Sequence, residues 1–189
     1  MSAVPVIYFG FYFIVSGGKS MSDLKGSKTE NNLKEAFAGE SQANRKYLAF
    51  AQMADKEGFT QVAKLFRAAA EAETIHAHAH LRVLGGISST EENLKEAISG
   101  ETHEFTAMYP EMIKTAENEG FNAALKTFTL ANAVEKVHAD LYRKALENLG
   151  KSDTVDYYVC QACGHTLEGE PDGPCEVCGA AKSAFKKMD

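Results

Sequence analysis

Two Glu-x-x-His pairs, Glu73-Thr-Ile-His76 and Glu135-Lys-Val-His138, each follow a lone upstream glutamate, Glu40 and Glu101. A Glu and a His three residues apart share one helix face, so both can reach one metal. Four carboxylates and two imidazoles form an oxygen-rich donor set. Such a set suits a carboxylate-bridged pair of iron or manganese ions better than zinc. The donors recur because the chain repeats itself. Thr29–Glu40 (TENNLKEAFAGE) answers Thr90–Glu101 (TEENLKEAISGE), and Ala54–Phe59 (ADKEGF) answers Ala116–Phe121 (AENEGF). The offset is 61 positions at the start and 62 afterwards, so the second copy carries one extra residue.

A second donor set closes the chain. Cys160-Gln-Ala-Cys163-Gly164 and Cys175-Glu-Val-Cys178-Gly179 are two matching knuckles that predict one tetrahedral four-thiolate site. Each glycine lets the backbone turn so that amide N–H groups can point at sulfur. Spacing alone does not choose between iron and zinc, since both accept four thiolates. All four cysteines lie in these two pairs, which fits a metal site in a reducing compartment better than a disulfide framework.

Four amphipathic helices must position the carboxylates and histidines. The first is expected to start at a Thr29 cap and end at Gly58; the second spans about 60–84 and stops at Gly85-Gly86. Ser89 or Thr90 caps the third, with Glu92 or Glu91 completing a capping box. Pro110 should kink or break that helix. The fourth follows Gly120 and stops at Gly150. Glu40 lies 18 residues before Gly58 and Glu73 15 after it, so at ~1.5 Å rise per residue the two sit within about 5 Å in height. Glu101 and Glu135 are placed the same way about Gly120. An unpaired buried carboxylate costs several kcal/mol, so charged residues on apolar stripes imply a partner or a metal. A metal-free hydrogen-bond network is the alternative, and its recurrence in both copies argues against it. His78 points away from His76 and reads as solvated, His80 could support the site one turn on, and His103 reads as partly exposed.

The fold class expected is an all-α four-helix bundle made of two αα-hairpin repeats, with a small C-terminal four-Cys metal domain. The expected domains are an N-terminal extension over 1–28, the helical domain over 29–150, a polar linker over 151–156 and the four-Cys domain over 157–189. Within the extension, Ala3–Val15 is apolar, too short to span a bilayer and without a basic stretch before it. It reads as a piece ahead of an ordinary start at Met21, with a hydrophobic hook for a partner or membrane surface as the other reading. A net charge of −6 with no basic stripe argues against a nucleic-acid partner.

AGESQANRKY around Glu40, the two Glu-x-x-His pairs, GETHE-x4-Y from Gly100 and the four-Cys tail together resemble rubrerythrin. The resemblance runs from about Thr29 to the C-terminus. It implies a ferritin-like bundle with a rubredoxin-like tail. Glu40, Glu73, Glu101 and Glu135 match the iron carboxylates, with Glu73 and Glu135 as bridges, and His76 and His138 match the histidine ligands. Glu104 matches an extra carboxylate ligand with a proton-relay role; the first copy has Ala43 there. In the family one iron moves between this glutamate and the facing histidine, here His76, as the redox state changes. Tyr47 and Tyr109 match tyrosines that support the ligand carboxylates or relay protons. Cys160, Cys163, Cys175 and Cys178 match the ligands of a redox-active iron, which zinc can replace in a purified sample.

The resemblance further implies a non-haem peroxidase that reduces hydrogen peroxide in the cytoplasm for oxidative-stress defence. Electrons would pass from the Fe(Cys)4 site to two non-haem irons, supplied by a rubredoxin or a separate NAD(P)H-dependent reductase. No membrane role is implied. A ferroxidase or iron-handling role is the alternative, and it leaves the four-Cys tail without a task. The link Gly85–Ser89 is too short for the crossover of a ferritin-like bundle, because five residues reach at most ~18 Å. A homodimer with swapped helix pairs is therefore expected, with a plain up-down-up-down bundle as the other solution.

Overall fold

The computed structural model describes residues 23–151 and 154–188. The apolar stretch Ala3–Val15 and part of the expected linker lie outside them. The chain divides into two compact units, one ending at Ile87 and the other beginning at Ser88.

The first unit is a helical hairpin of α1 (Lys28–Lys56) and α2 (Thr60–Val83). The N-cap of α1 is Ser27 rather than Thr29: its Oγ accepts the Glu30 N–H at 3.1 Å. The two helices meet along Ala51, Ala54, Ala63, Ala70 and Ala77, all buried. Alanine at these positions lets the backbones approach closely. Asn44 is buried in the same seam and donates to Ala70 O at 2.7 Å and Thr74 Oγ1 at 2.8 Å. Asn44→Ala removes both bonds in a buried seam. It is expected to lower stability by about 1–3 kcal/mol, seen as a lower midpoint in urea.

The second unit begins with α3 (Thr90–His103), capped by Ser89, whose Oγ accepts the Glu92 N–H. A π-helical turn, Glu104–Met108, follows directly, then α4 (Tyr109–Glu119) and α5 (Asn122–Glu147). Gly120 ends α4 in the left-handed region, φ 77°, where a side chain would be strained. The break expected at Pro110 falls just before it. A π turn holds one more residue than an α turn, and the extra residue of the second repeat lies between Glu101 and Ala116, where offset 61 becomes 62. The π turn takes up that residue while the helices on either side keep their core-facing register. It also suits Pro110, which supplies no N–H to the α-type ladder.

Beyond α5 the chain forms a three-stranded antiparallel sheet in the order β2-β1-β3, with β1 Tyr157–Cys160, β2 Thr166–Glu168 and β3 Phe185–Lys187. Tyr158 pairs with Leu167 on one side and Lys187 on the other. The interior is small: Cys160, Cys175 and the His165 ring are buried, with Phe185 edge-on to that ring at 6.3 Å. Among the described residues no helix is long and apolar enough to cross a membrane.

Candidate metal centres

The four cysteines are free thiols gathered in one place, their sulfurs within 4.8 Å of one another. Two identical knuckles hold them. Gly164 N–H donates to Cys160 O and Gly179 N–H to Cys175 O, each at 2.8 Å. Cys160 Sγ lies 3.7 Å from Cys178 Sγ, and Cys163 Sγ 3.6 Å from Cys175 Sγ. A tetrahedral site with ~2.3 Å metal–sulfur bonds has edges of about 3.8 Å, so the four sulfurs already stand at coordination spacing. Burial pushes the Cys160 thiol up, but N–H groups of Ala162 and Cys163 and the Cys178 thiol outweigh it, and its pKa falls to about 7. Burial holds the Cys163 thiol well above the usual range and raises the Cys175 thiol too. A thiolate cluster this tight needs a cation to ionise fully, which is the electrostatic requirement a bound metal meets.

The carboxylate donors form two triads, one in each unit. Glu40, Glu73 and His76 come together from α1 and α2, and Glu101, Glu135 and His138 from α3 and α5, with the donor atoms of each triad within 4.8 Å. The triads share a design. His76 Nδ1 lies 3.0 Å from Glu73 Oε2 and 3.9 Å from Glu40 Oε1; His138 Nδ1 lies 2.7 Å from Glu135 Oε2 and 3.9 Å from Glu101 Oε2. Both histidines therefore aim Nδ1 at the carboxylates. Two carboxylates and one imidazole nitrogen converging on one point match the donor set of a hard-to-intermediate metal.

In the second triad the carboxylates work against one another. Burial, a hydrogen bond with Glu135 and its charge raise Glu101 to about 7, Glu104 adds to the rise, and His138 opposes it. Burial also raises Tyr109, as do the charges of Glu135, Glu104 and Glu101. Glu104 and Tyr109 are thus electrostatic neighbours of the triad, at the two ends of the π turn. Glu104 is outside the group whose donor atoms lie within 4.8 Å. Tyr47, its counterpart in the first unit, is held by aromatic contacts, with Phe66 at 6.2 Å and Phe50 at 6.3 Å. His78 and His103 are exposed, and His80 is half-buried.

A raised carboxylate binds its proton more tightly in the fold than in the unfolded chain. That preference destabilises the metal-free fold as pH rises from about 4.5 through 7. A metal at this triad must displace the proton. Metal uptake at pH 6 is expected to release close to one proton more than at pH 8, and affinity to fall by about tenfold per unit below pH 7. Proton release in weakly buffered solution measures this; equal release at both pH values contradicts it.

Three features had no signature in the sequence. Thr166 Oγ1, in β2, lies 3.0 Å from His138 Nε2, so the four-Cys domain touches the second triad. Arg143 Nη2 donates to Thr102 Oγ1 at 2.8 Å, tying α5 to α3 beside Glu101. The buried His165 follows the first knuckle, its Nε2 3.2 Å from Glu176 Oε1 in a poorly aligned contact. Only the residue type of His165 marks it out in the sequence.

Hairpin units bearing Glu/Glu-x-x-His triads, joined to a four-thiolate domain, define a class of helical carboxylate–histidine metalloproteins. Comparison with known proteins narrows the class. The rubrerythrin profile matches residues 31–146. Rubrerythrin-1 of Clostridium acetobutylicum is 37% identical over 172 residues, covering 79% of this chain and 88% of that protein. Nigerythrin of Nitratidesulfovibrio vulgaris is 34% identical over 171 residues, covering 83% and 85%. A solved structure of nigerythrin in its mixed-valence state, 33% identical, aligns with a TM-score of 0.53 over 92% of this chain and 96% of that one. The chain belongs to the rubrerythrin family.

Proposed function

We propose that the protein is a non-haem di-iron peroxidase that reduces hydrogen peroxide to water, H2O2 + 2 e− + 2 H+ giving 2 H2O. The observation that carries this reading is the contact of the four-Cys domain with His138. It would give an Fe(Cys)4 centre a short route to the second triad, which iron storage would not need. The mixed-valence state of the related nigerythrin supports a redox-active pair of metals here as well.

When bound, two irons would supply the two electrons that cleave the O–O bond. Glu40, Glu73 and His76 would hold one side of the pair, and Glu101, Glu135 and His138 the other. Glu73 and Glu135 are the proposed bridges. Glu104, beside the triad and next to Tyr109, would hold and release a proton as the site turns over. Cys160, Cys163, Cys175 and Cys178 would hold a third iron, which would supply single electrons drawn from a rubredoxin or an NAD(P)H-dependent reductase. The proposed setting is cytoplasmic peroxide defence.

We further read the working assembly as a homodimer in which α1–α2 of one copy pairs with α3–α5 of its partner. Each unit carries half of the donors and large apolar side chains in water: Leu65 is 66% exposed in the first, Phe121 62% in the second. Pairing would cover those faces and bring two triads to one site. Dissociating the dimer should then empty the triads, and a monomer that keeps full iron and activity contradicts the swap.

The direct test is anaerobic reduction followed by peroxide or O2, with iron reoxidation followed optically. Peroxide is expected to reoxidise the iron much faster. Equal rates with O2 would overturn the peroxidase reading in favour of a ferroxidase.

A further inference from the structure

The π turn starts beside a cross-helix tie that the first repeat lacks. Arg143, on α5, spreads its guanidinium between two partners. Nη1 donates to Asp140 Oδ1 on its own helix at 2.6 Å, and Nη2 donates to Thr102 Oγ1 on α3 at 2.8 Å. The guanidinium is a rigid planar fork, so the Asp140 bond aims the second prong across to α3. Thr102 is half-buried and lies between Glu101 and Glu104. Its carbonyl is held as well, accepting the Thr106 hydroxyl at 2.6 Å.

The counterparts of this pair in the first repeat are Ser41, at offset 61, and Leu81, at offset 62. Leu81 has no donor, and the Ser41 hydroxyl turns back to Phe37 O at 2.6 Å. There α1 runs unbroken from Lys28 to Lys56. The tie and the π turn therefore occur in the same copy.

The backbone gives the pairing a consequence. The Glu104 N–H reaches Gly100 O, four residues back, whereas the Tyr109 N–H reaches Glu104 O, five back. The α-helical ladder is thus intact up to Glu104, and the extra residue is taken up after it. Taken up earlier, between Glu101 and Glu104, it would turn Glu104 by about 100° about the helix axis relative to Glu101. The two carboxylates, three residues apart, would then no longer share a helix side, and the influence of Glu104 on Glu101 would weaken.

We propose that Arg143 is a positioning residue for Glu104. By holding Thr102 it keeps α3 helical as far as Glu104, confines the π turn to the residues that follow, and keeps Glu104 on the side of Glu101. The role of Glu104 in turnover rests on the peroxidase reading; the tie itself does not.

The test uses the full chain. Amide hydrogen exchange over 102–108 in the metal-free protein is expected to rise about tenfold in Arg143→Met, which keeps the stem and loses the donors. Thr102→Val, which keeps the shape and loses the acceptor, should do the same, and Thr102→Ser should restore native exchange. The double variant of Arg143→Met and Thr102→Val should exchange no faster than either single one, because both remove the same bond. Four results would overturn the assignment: unchanged exchange in the single variants, a rise shared equally by all of α3 and α5, no rescue by Ser, or additive effects. In the iron-loaded chain, kcat with peroxide should fall several-fold in the Met and Val variants with KM unchanged. Native turnover in a chain whose π turn has loosened would overturn the link to Glu104. Failure of the peroxidase reading is a distinct result, since the native chain would then be inactive as well.

Discussion

Glu104→Ala is expected to leave iron in both triads and to cut peroxide turnover by about 100-fold or more. The first repeat carries Ala43 at the matching position, so helix formation tolerates the change there. What the substitution removes is a charge at the start of the π turn that both Glu101 and Tyr109 feel. Two further effects should appear with it. The Glu101 pKa should fall, because one of its raising neighbours is gone, and the Tyr109 pKa should fall with it. Glu104→Gln separates shape from proton exchange: it keeps the packing and loses the titrating group. Iron stoichiometry and kcat with peroxide are the measurements. Full turnover in an iron-loaded Glu104→Ala chain would remove Glu104 from the mechanism.

Cys175→Ser is expected to abolish steady-state peroxide reduction supported by an external electron donor. Chemically pre-reduced protein should still react with one equivalent of peroxide. Cys175 is buried, and its Sγ is 3.6 Å from Cys163 Sγ, so the substitution removes one corner of the sulfur tetrahedron. The domain has three short strands and a core of little beyond two cysteines and His165. Without a metal such a domain has too little apolar burial to offset its chain entropy. The strand pairing should therefore be lost too, seen as protease sensitivity beyond Glu147. Because Thr166 belongs to the same domain, its contact with His138 Nε2 should be lost with it. A Cys175→Ser chain with undiminished donor-supported turnover would exclude the four-thiolate centre from the electron route.

Much of the candidate site was legible because its spacing is local. Glu73 and His76, or Glu135 and His138, meet through the i, i+3 geometry of a single helix, which any helical stretch supplies. The knuckles are equally local: each is a tight turn whose glycine N–H returns to the cysteine carbonyl four residues back. Levelling Glu40 with Glu73 needed only the position of the Gly58 turn. Ser27 rather than Thr29 caps α1, because the two offer the same chemistry and only the path of the chain before α1 selects between them.

The repeat, the two donor sets and the one-residue difference between the copies are all written in spacing along the chain. Spacing does not say where the extra residue goes, because an insertion can be absorbed at any point where core-facing register on both sides is kept; the folded chain places it in a π turn at Glu104–Met108. Folding also buries Asn44 in an alanine seam and brings Thr166 to His138 across 28 residues. These contacts join elements with no periodic relation to one another, so packing rather than pattern places them.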